Sequence, residues 1–211
     1  MPVPELYSTN ESIFGSSYEE YVKRFWEHYL EIPLASNPLY VSSICEAALR
    51  PSEPVFYLPS NLGRTTNRAC KTRAGKCIFI PIIGVVVLPH EVNPQTLERQ
   101  RKVAHTDQDS VKEMELEIRT NKSSLHLTKE DLVRFRISTG SFDAELPSGG
   151  MYGAPEGETK CIADGHYVIT KPIEAGTYQI KFSARVSCTG SDCVPNEKTF
   201  RTQNTIILRV T

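Results

Sequence analysis

The chain has 211 residues, of which 39% are hydrophobic and 23% are charged, and its formal net charge is −1. This composition is typical of a globular domain and excludes the collagen-like, coiled-coil and disordered classes. It also argues against nucleic acid as a partner, because such a surface needs clustered lysine and arginine. The longest apolar run, 78–88, contains Pro81 and is too short to span a bilayer, so the sequence does not predict an integral membrane protein.

The first 32 residues predict an extended arm followed by one helix. Residues 1–16 are polar and contain two prolines, which is typical of an extended segment. Ser17 and Glu20 form a capping-box pattern and Pro33 ends the segment, so a helix is predicted over 17–32. Its large apolar side chains repeat at helical spacing, and we interpret this face as core rather than as a ligand platform: Tyr18, Tyr21, Val22, Phe25, Trp26, Tyr29 and Leu30.

Beyond Pro33 the pattern changes to short β-like runs separated by glycine- and proline-containing turns. Pro81 predicts an edge position or a bulge in its run, and the polar segment from Pro94 to Ala104 or Asp109 is compatible with a helix. Thr128 and Asp131 form a capping pattern for one helical turn. The predicted strands are 55–58, 77–88 (one or two strands), 113–118, 134–138, 142–146, 162–170, 177–186 and 205–210.

Many short strands after one amphipathic helix predict a mainly β fold. The expected architecture is a β-sandwich, Ig-like or jelly-roll-like, with the helix packed against it. The arm, 1–16, is expected to precede a single disulfide-bonded domain that spans 17–211.

An even number of cysteines is typical of a disulfide set. Four small or polar residues separate Cys188 from Cys193, which favours a bond between these two, and no second short-spaced pair supports a zinc site. The remaining four cysteines allow three pairings, which the residues alone leave open. The six are Cys45, Cys70, Cys77, Cys161, Cys188 and Cys193.

Disulfides predict an oxidising compartment, that is, a secreted, periplasmic or cell-surface protein. The first residues form no signal peptide, so we interpret Met1 as added to a mature form. The alternative is an intracellular protein with free thiols. Glycosylation sequons at Asn10 and Asn121 are compatible with secretion.

Several segments together resemble a family of uncharacterised secreted proteins from bacteria and archaea. The resemblance covers roughly 18–186. It is carried by an aromatic helix that runs into Ile32-Pro33 and Asn37-Pro-Leu39, and by Cys45, Val55-Phe-Tyr-Leu58, Arg68-Ala-Cys70, Ala74-Gly-Lys76, Phe79, Pro81, Asp164-Gly-His-Tyr167, Pro172-Ile173, Gly176 and Ile180-Lys-Phe182.

This resemblance implies a secreted compartment and a sandwich fold, but no activity. The first two cysteines recur together in the family, which implies a Cys45–Cys70 bond and leaves Cys77 to pair with Cys161. The sequence departs from the family at His166, which replaces an aromatic residue, at Tyr178, which replaces a histidine, and in the added 188–193 loop.

Histidines next to carboxylates are the main candidates for chemistry. They are compatible with a metal-dependent hydrolase, although no spacing matches a known metal motif. Asp107–Ser110 resembles the start of a calcium loop without its later ligands, and calcium held by other loops stays an alternative. The candidate metal-binding or catalytic residues are His90, Glu91, His105, Asp107 and Asp164.

Two further patterns concern ligands at the surface. A carbohydrate-binding module would need exposed aromatic side chains, for which Tyr152, Tyr167 and Tyr178 are the candidates. A basic stretch could meet an anionic surface or glycan, but we interpret it as a solvated loop; it comprises Arg64, Arg68, Lys71, Arg73 and Lys76.

The sequence therefore favours a non-catalytic extracellular β-sandwich protein with a binding or structural role. Self-association through the arm or through sheet edges is one version of this role. On that hypothesis, deletion of 1–16 abolishes association and leaves the thermal midpoint almost unchanged. A secreted metal-dependent hydrolase and a carbohydrate-binding module are the alternatives.

Overall fold

The N-terminal helix forms where the capping pattern places it. The computed structural model describes residues 1–41, 45, 52–188 and 199–211. Helix α1 spans Tyr18–Leu30 with Ser17 as its N-cap. The Ser17 hydroxyl accepts a hydrogen bond from the Glu20 N–H, and the Glu20 carboxylate accepts one from the Ser17 N–H. The capping box is therefore complete, and the predicted helix is confirmed.

The aromatic face of α1 lies in the core, as predicted. The ring of Phe25 stacks on Phe79 at 5.1 Å between centroids. Trp26 Nε1 donates to the Tyr167 hydroxyl at 2.9 Å. The Tyr18 hydroxyl accepts from the Ile169 N–H at 2.7 Å, so the helix is joined to the sheet by polar as well as apolar contacts. These buried hydroxyl and indole groups have the partners that burial requires.

The chain is mainly β, as predicted, with two five-stranded sheets. The first sheet has the order β1-β3-β8-β6, with β7 also paired to β8, and the second has the order β2-β10-β9-β4-β5. In chain order after α1, the elements are β1 (Val55–Tyr57), β2 (Thr65–Thr72), β3 (Cys77–Val87), α2 (Leu97–Asp109), β4 (Val111–Arg119), β5 (Ser124–Leu127), α3 (Lys129–Leu132), β6 (Arg136–Ser138), β7 (Phe142–Leu146), β8 (Gly157–Ile169), β9 (Gly176–Val186) and β10 (Phe200–Val210).

Each sheet contains one parallel pair. Strands β1 and β3 run parallel in the first sheet, and β2 and β10 run parallel in the second, while the other pairs are antiparallel. Ig-like and jelly-roll sandwiches are built from antiparallel strands. The mixed pairing is therefore a feature that the alternating patterns in the sequence did not indicate.

The two sheets share one apolar cluster, and the helices cover both faces of the first sheet. Alternation along β4, β9 and β10 turns one face of the second sheet toward this cluster and leaves the other face to solvent. On β8, Tyr167 contacts α1, whereas Ile162 packs with Val103 and Ala104 of α2. Helices α1 and α2 therefore lie on opposite faces of the first sheet.

Pro81 lies at a bulge and not at a sheet edge. Strand β3 is flanked by β1 and β8, and its register against β8 shifts between Pro81 and Ile83. A bulge accommodates the missing N–H of proline inside a sheet. Of the two alternatives that the sequence left open, the bulge is confirmed. Within the described ranges, no helix is long and apolar enough to cross a membrane.

The N-terminal arm lies along its own chain. The Tyr7 N–H donates to the Ile169 carbonyl at 2.9 Å, and the Lys171 N–H donates to the Glu5 carbonyl at 2.7 Å. Ile13 is fully buried, and its carbonyl accepts from the Tyr21 hydroxyl. The arm is not extended throughout, because the chain turns at Ser8–Glu11 and again at Ile13–Ser16. Part of its backbone is already paired within the molecule.

The disulfide predictions have different outcomes. The Cys45–Cys70 bond is confirmed, with 5.5 Å between the Cα atoms. Cys188 is disulfide-bonded, while Cys193, its predicted partner, lies outside the described residues.

The predicted Cys77–Cys161 bond is wrong, because both residues are buried free thiols. They lie near opposite ends of the β3–β8 pair, in which Phe79 faces Ile169 and Val87 faces Ile162. At about 3.4 Å per residue, the two cysteines are roughly 30 Å apart along the strands. A disulfide requires Cα atoms within about 7 Å.

Candidate functional site

A cleft of about 540 Å³ opens where α2 and the ends of β3, β9 and β10 meet. This volume lies within the range of about 300–1,000 Å³ that is typical of small-molecule sites. Its apolar walls come from both sheets and from the segment before β2, and they include Leu62, Ile83, Val85, Val186 and Phe200.

Polar side chains converge on the cleft from α2 and from two connecting segments. Glu91 comes from the turn after β3, and Tyr152 comes from the glycine-rich loop 147–158. Asp107 and Gln108 come from the last turn of α2, and Arg201 contributes an exposed guanidinium. A few polar groups among apolar walls are the usual composition of a binding pocket.

Glu91 carries its carboxylate in an apolar setting. Its Oε2 accepts from the Leu88 N–H at 2.8 Å. Burial raises the pKa of this carboxyl above its usual range, and the Leu88 hydrogen bond and nearby His90 oppose the shift. A cation in the cleft would stabilise the ionised form of Glu91.

The last turn of α2 carries two carboxylates and one buried amide oxygen. Asp107 and Asp109 lie in its last turn, which contains no basic residue, although acidic groups are unfavourable at a helix C-terminus. Gln108 is only 4% exposed, and its Oε1 has no hydrogen-bond donor within the described part of the chain. A buried amide oxygen without a donor costs about 1–3 kcal/mol.

Tyr152 is held in an unusual backbone conformation next to these groups. Its φ is 59°, in the left-handed region that few non-glycine residues adopt. The Tyr40 hydroxyl is hydrogen-bonded to the Tyr152 backbone, and His90 Nε2 lies 3.3 Å from the Tyr152 carbonyl oxygen. Burial raises the pKa of the Tyr152 phenol, and the charges of Glu91 and Asp107 raise it further.

A second cluster of charged side chains lies on the α2 side of β8. Arg136 donates to both carboxylate oxygens of the fully buried Asp164, at 3.0 and 2.9 Å, and also pairs with Asp109. Burial raises the pKa of Asp164, and the guanidinium opposes that shift. A bidentate ion pair of this kind satisfies a buried carboxylate, so we interpret the cluster as structural.

This second cluster contains a serine, a histidine and an aspartate, but not in the arrangement of a catalytic triad. His105 Nε2 lies 2.8 Å from Ser138 Oγ and 3.5 Å from Asp164 Oδ2. In a triad the carboxylate holds one ring nitrogen so that the other can take the serine proton. Here both partners approach the same nitrogen.

The structure divides the five residues predicted for metal-dependent hydrolysis. Glu91 and Asp107 line the cleft, and His105 and Asp164 belong to the second cluster. The ring of His90 contacts the Tyr152 backbone. Within the residues that the structure describes, no group of three or more His, Cys, Asp or Glu side chains is arranged to hold a metal ion. Asp107–Ser110 forms the end and cap of α2 instead of a calcium loop.

The other predicted ligand residues are also separated. Tyr152 lines the cleft, whereas Tyr167 and Tyr178 are buried, so these last two cannot form an exposed carbohydrate platform. The Tyr178 hydroxyl donates to the Glu174 carbonyl. The sequence named them only as candidates, because alternation along a strand does not show which face is exposed.

The basic stretch is only partly a solvated loop. Arg68 lies on β2, is buried, and donates to the carbonyls of Pro38, Val41 and Ser60. Strand β2 was not predicted, because its inward positions carry threonine, arginine and cysteine and show no apolar alternation.

Sequence reasoning also missed Gln108 and Tyr40 as cleft residues. One sequence pattern could have drawn attention to Gln108. It lies between two aspartates in the last turn of α2, which has no basic residue, and acidic side chains are unfavourable at a helix C-terminus. Comparison with protein-family models, with curated proteins and with solved structures finds no match.

Proposed function

We propose that this protein binds a small organic ligand in the cleft between α2 and the ends of β3, β9 and β10. The observation that carries the proposal is the buried Gln108 side-chain oxygen, which has no donor in the described part of the chain and belongs to a residue that lines the cleft. Apolar walls around a few polar groups supply burial energy and orientation at the same time. The unsatisfied oxygen indicates a stability cost that a ligand donor would remove.

A binding role is favoured over catalysis by the geometry of the ionisable groups. The Ser138–His105–Asp164 set lacks the triad arrangement, and Asp164 is fully engaged with Arg136. Binding needs only the recognition groups that line the cleft, whereas catalysis needs an aligned nucleophile or base as well.

The experiment is a ligand-observed NMR screen with neutral, cationic and anionic aromatic or aliphatic compounds. Thr199 is an exposed cleft residue, so Thr199→Trp fills the entrance without disturbing the core. Thr177→Trp is the matched control, since Thr177 is exposed on β9 outside the cleft. We expect binding to the wild type and to the control, and a loss in Thr199→Trp. Binding that is the same in all three proteins, or no binding at all, would contradict the proposal.

We also propose that the protein works in an oxidising compartment, either extracellular or at the cell surface. The support is the Cys45–Cys70 bond together with the bonded state of Cys188. Peptide mapping after alkylation of the unfolded, unreduced protein should label Cys77 and Cys161 but not these three cysteines. Labelling of Cys45 or Cys70 in protein from its native source would refute the compartment.

We propose that the two sheets pack face to face as a β-sandwich, which is supported by the apolar cluster that they share. Membership of the secreted family remains a proposal, as does self-association through sheet edges. No specific contact among the described residues favours an assembly role over the cleft.

A further inference from the structure

Strand β3 loses its neighbour on one side before it reaches the cleft. Strand β1 pairs only with the first three residues of β3. Pro59 follows shortly after β1, and a proline has no N–H with which to continue the ladder. The chain then crosses to the second sheet, where the Asn61 side chain donates to the Gln203 carbonyl. Segment 60–62 still lies beside Pro81, since both line one small cavity, so the open part of the β3 edge begins beyond the bulge.

The hydrogen bonds of β8 show which way the Gly84 backbone points. Ala163 turns its backbone groups toward the β6 side, because its carbonyl accepts from the Thr139 N–H at 2.8 Å and its N–H donates to the Thr139 hydroxyl at 3.0 Å. Alternate residues of a strand point the same way, so the backbone groups of Gly165 also face β6. Gly84 lies directly opposite Gly165 in the β3–β8 register. The two glycines therefore form a non-hydrogen-bonded pair, in which the Gly84 N–H and carbonyl point away from β8.

Gly84 presents these backbone groups to the cleft. It is partly exposed, whereas its neighbours in β3 are buried, and it lines the cleft together with Ile83 and Val85. Its side-chain direction is already filled, because a Cβ at this position would lie 2.3 Å from the Tyr167 hydroxyl oxygen. Among the described residues, none makes a hydrogen bond to the Gly84 N–H or carbonyl. The cleft therefore meets an unpaired main-chain donor and an unpaired main-chain acceptor.

A peptide backbone is the ligand chemistry that satisfies both groups at once. An extended peptide beside a sheet edge accepts from main-chain N–H groups and donates to main-chain carbonyls of that edge. It also carries N–H donors of the kind that the buried Gln108 oxygen lacks in the described chain. Its side chains alternate between the two faces of the sheet, and apolar ones fit the walls formed by Leu62, Ile83 and Phe200.

A smaller cavity of about 30 Å³ indicates the size of one side chain of such a peptide. It shares Leu62, Gly84 and Phe200 with the cleft, and it reaches Trp26 and Tyr167 on the α1 side of the sheet. A peptide residue paired with Gly84 would point its side chain to this same face. The volume holds about one or two groups the size of a water molecule, so a methyl group, as in alanine, fits there.

We propose that the cleft binds an extended apolar peptide segment, which adds to the open edge of β3 through main-chain hydrogen bonds to the Gly84 N–H and carbonyl. This inference rests on the proposed binding function and specifies its ligand class.

The first test needs no ligand. Val85 lies opposite Asp164, so by the same alternation its N–H belongs to the β3–β8 ladder, whereas the Gly84 N–H does not. In native-state hydrogen exchange of the full chain, followed by NMR, the Gly84 amide should exchange about a hundredfold or more faster than the Val85 amide. Equal protection of the two amides would overturn the inference, because the edge would then already be covered.

The second test uses the capped peptide acetyl-Val-Ala-Val-amide and its three singly N-methylated forms. Alternate N–H groups of an added strand point toward the sheet edge and the others point away from it. NMR titration should therefore show an affinity loss of about tenfold for methylation at positions of one alternating set, which is the value of one main-chain hydrogen bond. Methylation at the other positions should change the affinity by about twofold or less, and the unmethylated peptide should protect the Gly84 amide from exchange.

The outcomes separate the two proposals. Peptide binding that Thr199→Trp abolishes and Thr177→Trp leaves intact, with the alternating effect of methylation, supports the inference. Equal affinity for all four peptides overturns it and leaves the binding function intact. The same holds if other compounds of the screen bind at the site that Thr199→Trp blocks and the peptide does not. If neither the peptide nor any compound of the screen binds, both proposals fail.

Discussion

Replacing Gln108 by methionine tests whether its side-chain oxygen is kept for a ligand. Methionine follows the same unbranched path, and it removes an oxygen that is buried without a donor in the described structure. The two residues have similar helix propensity, so the local cost in α2 is small. We therefore expect Gln108→Met to increase the free energy of unfolding by about 1 kcal/mol. In a chain of this length that raises the thermal midpoint by about 2–4 °C.

The control for this substitution lies on the same helix. Gln100 is also buried, but its Nε2 donates to the carbonyls of Val87 and Lys160 at 2.9 and 3.0 Å. Gln100→Met leaves these two carbonyl oxygens without their donor, so we expect it to decrease the free energy of unfolding by about 2 kcal/mol or more. Urea unfolding of both variants measures the difference. A similar loss of stability in the two variants would refute the reasoning, because it would mean that the Gln108 oxygen is already satisfied.

Three further predictions concern acid stability, the arm and the packing of the first sheet. Burial lowers the pKa of His166 from 6.5 to about 4, so the fold favours the neutral ring, and stability is fully present above pH 6.5 and falls as the pH drops toward 4. Between pH 6 and 4.5 the free energy of unfolding of the wild type, measured with urea, should fall by about 1.4 kcal/mol per pH unit more than that of His166→Phe. The same pH dependence in both proteins would exclude His166 as its source. Deletion of 1–16 should lower the thermal midpoint by roughly 5 °C or more, because it removes the fully buried Ile13. An unchanged midpoint would show that the arm does not contribute to the stability of the domain. Gly165→Ala should unfold at a markedly lower temperature than Gly140→Ala. A Cβ at Gly165 would come within 2.6 Å of the Gly84 Cα, whereas at Gly140 the nearest atom is a Glu19 carboxylate oxygen at 3.5 Å; equal midpoints would show that the two strands can separate at no cost.

Local signals in the sequence determined the elements whose residues show one pattern. The capping box at Ser17 and the aromatic repeat define α1, and alternation defines β4 and β9. These features depend on neighbours within a few residues, so spacing alone is enough to predict them. The same holds for the bulge alternative at Pro81, which follows from a missing N–H.

Strand β2 shows where local patterns were insufficient. Its inward side chains are threonine, arginine and cysteine, and burial of Arg68 is stabilised by three backbone carbonyls that come from distant segments. The Cys77–Cys161 pairing failed for a related reason. Pairing the two cysteines that were left over takes no account of the distance between them. Only the β3–β8 register shows that the two thiols lie at opposite ends of the strand pair.

The candidate site was predictable only in part. Glu91 and Asp107 were predicted as site residues because each lies near a histidine in the sequence. In the structure, His90 contacts the Tyr152 backbone and His105 contacts Ser138. Gln108 and Tyr40 carry no motif, and their place at the cleft depends on how α2 ends against the two sheets. The sequence by itself therefore determined helix α1, most strands and the acidic character of the segment after β3. Tertiary structure alone decided which of those acids share a cleft, because that depends on contacts between segments far apart in the chain.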